Sequence, residues 1–168
     1  TGVITPHPVL QHSVETAGSA MLLGELALDT GNKDYTDATI KAADFLIREV
    51  LPEMKYHDFE LFWSCSWKSI DMTDPFTGVN PQNNYSIFGA METLRYAWML
   101  TGEDRFREAL LETIGTLNLY QQVWNPNFLS LYALGGFGVM NTDGEWNDSR
   151  QAVFAPAYMR AYQALGDR

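Results

Sequence analysis

Cysteine occurs only once in this 168-residue sequence, at Cys65. A single cysteine excludes an internal disulfide, and no Cys/His spacing typical of a metal site is present. Phosphate-binding glycine motifs are missing as well, because the glycines at 135, 136 and 138 follow no strand and do not fit G-x-G-x-x-G. We therefore expect neither a metal nor a cofactor, and the redox compartment stays open.

Basic residues and long apolar runs are also scarce. The chain has 11 Lys and Arg against 21 Asp and Glu, a formal net charge of -10, and its cations are scattered. This balance disfavours nucleic acid as a partner. The longest apolar stretch, Ala20 to Leu28, is interrupted by Gly24 and Glu25, and it is shorter than the roughly 18 to 20 residues that cross a bilayer. We expect no membrane-spanning helix.

Helical patterns dominate what is present, and the 46% hydrophobic content fits a single folded domain over residues 1–168. Residues 13–30 are apolar nearly all round, which predicts a buried helix. We expect that helix to end at Gly31, Asp34 to cap a second helix, and Pro52 to end the second. The fold class predicted is all-α.

The same pattern recurs twice. A helix predicted over 85–101 is followed by Gly102 and another helix, and a third begins at Ala152 and runs to a glycine at 166. Pro156 either delays or kinks that third helix. Recurrence every 64 to 71 residues predicts about two and a half antiparallel helix hairpins, and hence a fragment of a larger repeat. We then expect exposed apolar area on the first helix of each unit.

Two turn segments carry a resemblance to a known family. They are Thr30-Gly31-Asn32-Lys33-Asp34-Tyr35 and Thr101-Gly102-Glu103-Asp104-Arg105-Phe106, each with an aromatic residue five positions after the threonine. An apolar helix, this turn and an amphipathic helix resemble the six-hairpin glycosidase superfamily. The resemblance implies part of an (α/α) toroid and a carbohydrate-active enzyme. Tetratricopeptide arrays have a period of 34 residues and short loops, and they fit less well.

Two long loops, roughly 52–84 and 122–148, separate the hairpins. Short glycine turns at one end of the stack place both loops at the other end, where binding residues usually collect. The loops contain four of the five tryptophans: Trp63, Trp67, Trp124 and Trp146. Flat ring faces suit sugar C–H faces, so we interpret these four as substrate-binding residues in a carbohydrate cleft, although each could instead fold its loop.

Glycoside hydrolysis needs two carboxyl groups, about 5 to 5.5 Å apart for retention or about 6.5 to 9.5 Å apart for inversion. We predict that Glu145 or Asp148 supplies one and that Asp71 or Asp74 supplies the other. Burial near tryptophan would raise the pKa of the acid member. Capping of the third helix is the alternative role for Asp148.

Two alternatives stay open. A polysaccharide lyase could act on a uronate with residues that begin the inner helices, namely His12, Asn84, Tyr85 and Arg150. Lys68 could pair with an acidic sugar or be solvated. The third possibility is a non-catalytic helical-repeat module that binds a glycan or a partner protein. The carbohydrate interpretation favours an extracytoplasmic or secreted location.

Overall fold

The protein is all-α in a computed structural model that describes residues 13–56, 73, 75, 78–80, 82–141 and 152–166. Its helices are α1 (Ser13–Thr30), α2 (Lys33–Phe45), α3 (Asn84–Thr101), α4 (Asp104–Asn118) and α5 (Phe154–Leu165). The described backbone pairs in strand fashion only at isolated antiparallel bridges, Asn83 with Met140 and Gln121 with Phe137. Among these residues no helix combines the length and the apolar character needed to span a membrane.

One glycine turn ends the first helix of each of the three predicted units. Gly31, Gly102 and Gly166 have φ values of 65°, 70° and 64°, a left-handed conformation that glycine adopts without steric cost. The predicted turns are confirmed. The predicted cap is wrong, because the side chain of Asn32 accepts the hydrogen bond from the amide of Asp34, and Asp34 lies inside the first turn of α2.

Two proline positions show how the helices end and begin. After α2 the chain continues through a π turn (Leu46–Val50) and a 3-10 turn (Leu51–Glu53) that contains Pro52. Helix α5 begins at Phe154, two residues later than predicted, so Pro156 lies in its first turn. A missing N–H costs nothing there, since first-turn amides have no partner within the helix. Of the two predicted outcomes for Pro156, the structure therefore shows a late start of α5 and not a kink.

Helix α3 is the centre of the molecule. The Thr93 hydroxyl donates to the Ala17 carbonyl of α1 at 2.9 Å. Further along both helices, Gly24 of α1 lies against Tyr96 of α3. Residue numbers rise together in these contacts, so α1 and α3 are parallel. Phe88 contacts Phe154, and Glu92 contacts Arg160 further along both helices, so α5 lies alongside α3 and parallel to it. Helices α2 and α4 return antiparallel to α1 and α3 and pack on α3.

The expected exposure of the first helices is found on two of the three. Leu22 of α1 is 56% exposed and Met159 of α5 is 63% exposed. The expectation is wrong for α3, which is buried almost from end to end because α1, α2, α4 and α5 all contact it. Exposed large apolar side chains of the parallel helices thus lie on α1 and α5, together with Met99 at the end of α3, which is 48% exposed.

Candidate functional site

The two long connectors meet at the end of the helices opposite to the glycine turns. The first connector (residues 54–83) joins the end of the α2 segment to α3, and the second (residues 119–153) joins α4 to α5. Asn141 of the second connector binds the first connector: its Oδ1 accepts from the Gln82 amide at 2.7 Å, and its Nδ2 donates to the Asn80 carbonyl at 2.9 Å. The amide of Asn84 donates to the Val139 carbonyl at 3.0 Å. The described parts of both connectors therefore form one surface, called here the connector end.

Asn84, predicted to bind substrate, has no solvent-exposed surface. Its Nδ2 donates to the Gly138 carbonyl at 2.7 Å, and its Oδ1 accepts no hydrogen bond in the described part of the chain. In this position the side chain holds the second connector on α3 and presents no surface to a ligand. A buried amide oxygen of this kind ordinarily accepts a hydrogen bond, for example from a water molecule.

Tyr85 and Trp124, also predicted to bind substrate, lie on different elements, α3 and the second connector. Tyr85 is half-buried, its ring is 5.4 Å from that of Phe88, and it lines a cavity of about 40 Å³ with Gly18 and Met21. Trp124 is 55% exposed on the second connector. Neither lines the larger cleft that is described below.

The other predicted site residues lie outside the described residues. These are the four catalytic candidates and six binding candidates: Asp71, Asp74, Glu145, Asp148, His12, Trp63, Trp67, Lys68, Trp146 and Arg150. Their roles stay predictions. Within the described ranges, no group of three or more His, Cys, Asp or Glu side chains could hold a metal ion.

A cleft of about 570 Å³ opens between the second connector and α5. We call it the connector cleft. Its walls include two tyrosines, one phenylalanine and two amides: Tyr132, Tyr158, Phe137, Asn118 and Gln121. Tyr132 is 76% exposed, whereas Phe137 is buried, so the cleft has an open aromatic rim and a packed aromatic base.

Aromatic packing fixes the base of the connector cleft. The Phe137 ring is stacked near Tyr158, with centroids 6.1 Å apart, and meets Phe154 edge-on at 5.2 Å. The Tyr158 hydroxyl donates to Asn118 Oδ1 at 2.7 Å, which joins α5 to the end of α4. Partial burial raises the pKa of Tyr158 to about 12, so at neutral pH its hydroxyl is a hydrogen-bond donor and not a base.

A short backbone ladder forms the other side of the cleft. The Gly135 amide donates to the Gln122 carbonyl at 2.8 Å, and the Gln122 amide donates to the Gly136 carbonyl at 2.7 Å. Gly135 has a φ of 81°, a left-handed conformation that few other residues adopt. These glycines therefore permit a tight backbone path along this side of the cleft.

The orientation of α5, and hence of Tyr158, is also fixed by a buried carboxylate. Glu92 of α3 is buried and pairs with Arg95 at 2.9 Å and with Arg160 of α5 at 3.1 Å. A buried carboxylate is costly without partners, so this pairing favours one rotation of α5 against α3. Sequence reasoning missed this cluster, although an (i, i+3) Glu–Arg pair within an otherwise apolar helix was a usable signal.

The predicted site residues include none of the five cleft side chains named above, and three of these, Asn118, Gln121 and Tyr158, lie outside the two predicted loops. Each looked like an ordinary residue at a helix end or on a helix face. A usable signal was the Phe154–Tyr158 spacing of four, which puts two rings on one face of α5.

In comparisons with protein-family models, curated proteins and solved structures, nothing matched this chain.

Proposed function

We propose that the connector cleft binds a carbohydrate and that the chain is a segment of a glycoside hydrolase with (α/α)-toroid architecture. The observation that carries the proposal is the composition of the cleft, with aromatic rings at rim and base and amide groups beside them. Ligand sites commonly combine apolar walls with a few placed polar groups. Ring faces favour sugar C–H groups, while Asn118 and Gln121 can exchange hydrogen bonds with hydroxyls.

Parallel packing of α1, α3 and α5 supports the toroid part of the proposal. In a ring of hairpins the first helices lie side by side and the second helices return outside them. Here α2 and α4 return in this way, and all three glycine turns follow first helices. This arrangement puts the long connectors at one end, where a cleft can draw on several of them.

The catalytic part of the proposal assigns one carboxylate to each connector. Asp71 and Asp74 belong to the first connector, and Glu145 and Asp148 belong to the second. Hydrogen bonds of Asn141 hold the described parts of the two connectors together, which supports a pair drawn from both. One carboxyl would protonate the glycosidic oxygen and the other would act as the base or nucleophile.

Hydrolysis is favoured here over the lyase alternative. A lyase would need a base and an amide or cation on a shared rim, but Asn84 is buried against Gly138. In the connector cleft, Tyr158 stays protonated at neutral pH because burial raises its pKa to about 12. The described walls of the cleft therefore provide neither a base for proton abstraction nor a carboxylate for hydrolysis, and it is the burial of Asn84 that disfavours the lyase.

The catalytic test uses the whole chain and a panel of oligosaccharides, with new reducing ends as the readout. Asp71→Asn, Asp74→Asn, Glu145→Gln and Asp148→Asn are assayed beside Asp29→Asn, an exposed acid near a glycine turn. We expect loss of turnover by at least about a hundredfold in one variant from each connector, and none in Asp29→Asn. Full activity in all four variants would contradict the mechanism. Binding without any turnover by the unmodified chain would favour the non-catalytic module.

A further inference from the structure

The described part of the second connector, residues 119–141, belongs to an uncharged part of the sequence. No Asp, Glu, Lys, Arg or His occurs from Thr113 to Thr142, in a chain where 19% of residues are charged. Most of the connector cleft comes from this stretch, including Asn118, Gln121, Tyr132 and Phe137. Its described walls therefore combine rings, amides and backbone without a formal charge.

Helix α5, the opposite wall, contributes no available cation. It contains one charged residue, Arg160, two positions after Tyr158. At about 100° per residue these two side chains point about 200° apart around the helix. Arg160 is also paired with the buried carboxylate of Glu92 at 3.1 Å, so its charge is compensated on the α3 side.

The cleft does offer neutral donors and acceptors. Asn118 Nδ2 makes no hydrogen bond within the described part of the chain, while its Oδ1 is occupied by the Tyr158 hydroxyl. The Nε2 of Gln121 makes a long bond of 3.3 Å to the Gly135 carbonyl, and its Oε1 faces no donor among the described residues. One donor and one acceptor on neighbouring amides match a sugar hydroxyl, which both donates and accepts.

From these observations we infer that the connector cleft takes a neutral saccharide and rejects uronates. This inference rests on the proposed function and names its substrate class. A uronate carboxylate against the described walls of this cleft would lose water without gaining a cation from them, which is costly. The net charge of -10 would also repel an anionic glycan during its approach.

The test compares each glycan with its own charged counterpart. Neutral manno-, cello- and malto-oligosaccharides are titrated calorimetrically beside the same chains oxidised at C6 to carboxylates, and beside oligogalacturonate. We expect at least one neutral glycan to bind with an affinity that is unchanged between about 0.05 and 0.5 M salt. Its oxidised form should bind at least about tenfold more weakly.

Two tyrosine variants locate the binding. Tyr132→Ala removes an exposed ring of the cleft and should weaken binding of the neutral glycan by about two- to tenfold. Tyr162→Ala removes a ring that is 55% exposed beside the Gly166 turn, and it should leave the affinity unchanged. Equal losses in both variants would place the ligand outside the cleft and contradict the inference.

The outcomes separate this inference from the proposal beneath it. Tighter binding of the oxidised chains or of oligogalacturonate, lost in Tyr132→Ala, would overturn the neutral-ligand inference and leave a carbohydrate cleft in place. Absence of binding by every saccharide would overturn the proposed function itself, and the inference with it. A further variant, Gln121→Lys, adds the missing cation and should reduce the discrimination against the oxidised glycan.

Discussion

Tyrosines with raised pKa values stand out at the residue scale, because Tyr56, Tyr120 and Tyr158 all support the connector end. The Tyr56 side chain is almost wholly buried and hydrogen-bonds to Thr113 of α4, and the Tyr120 hydroxyl donates to Gln82 Oε1 at 2.8 Å. Burial raises the pKa of Tyr56 to about 12 and also raises that of Tyr120. Because burial keeps these phenols neutral in the folded chain, the free energy of unfolding depends on pH in the alkaline range.

We predict that stability falls between about pH 10 and pH 12. Below pH 10 Tyr56 is protonated in both the folded and unfolded chain, so its contribution is fully present. Above pH 10 the unfolded chain loses the proton first, and the loss approaches about 2 kcal/mol at pH 12. Tyr56→Phe should lower stability at pH 8 by about 1 kcal/mol through the lost hydrogen bond, yet flatten the alkaline decline. Urea unfolding at pH 8, 10 and 11 measures both effects.

The exposed Tyr132 provides the matched control for this variant. Tyr132→Phe should retain the pH dependence of the unmodified protein, since its hydroxyl is not buried. An alkaline decline that is the same in Tyr56→Phe as in the unmodified chain would show that other groups cause it.

At the scale of helices, close approach of α1 and α3 depends on glycine. A Cβ at Gly24 would lie 2.5 Å from the Cβ of Tyr96, an atom that cannot move unless the helix itself moves. A Cβ at Gly18, six residues earlier on the same helix, would meet nothing within 4 Å. The two glycines therefore differ in packing while sharing the same helix.

We predict opposite effects for alanine at these positions. Gly24→Ala should destabilise the protein by about 1 to 3 kcal/mol through overpacking. Gly18→Ala should stabilise it by up to about 1 kcal/mol, since alanine has the higher helix propensity. Thermal and urea unfolding measure the difference. Equal effects of the two substitutions would argue against the packing of α1 on α3 described here.

Helices could be predicted from the sequence better than the cleft, for a physical reason. Turns such as those at Gly31 and Gly102 depend on the local backbone conformation and on the hydrophobic periodicity of the adjoining helices. Both can be read from one short segment of sequence. The delayed start of α5 and the burial of Asn84 depend on contacts with Phe88, Val139 and Gly138, far away in sequence. The cleft walls come from α4, the second connector and α5, so no single motif indicates them.

On the scale of the whole molecule, the shared position of the two connectors matters most. The order of the helices alone would allow both connectors to lie at the same end of the helices without contacting each other. Asn141 joins them with both atoms of its amide and with its backbone N–H, which donates to the Gln82 carbonyl at 3.3 Å. Loss of this side chain should therefore loosen the junction of the connectors without altering any helix, while the Asn83–Met140 bridge and the Tyr120–Gln82 hydrogen bond remain.

We predict that Asn141→Ala lowers the free energy of unfolding by about 1 to 2 kcal/mol, since two side-chain hydrogen bonds are lost at a partly buried junction. Saccharide affinity should fall as well, because Phe137 and Tyr132 belong to the connector that Asn141 anchors. Asn127→Ala, at an exposed turn of the same connector, is the control and should change neither quantity. Unfolding curves and calorimetric titrations of the two variants give both numbers. Loss of stability with unchanged affinity would mean that the cleft is shaped by its aromatic base alone and that the first connector plays no part in binding.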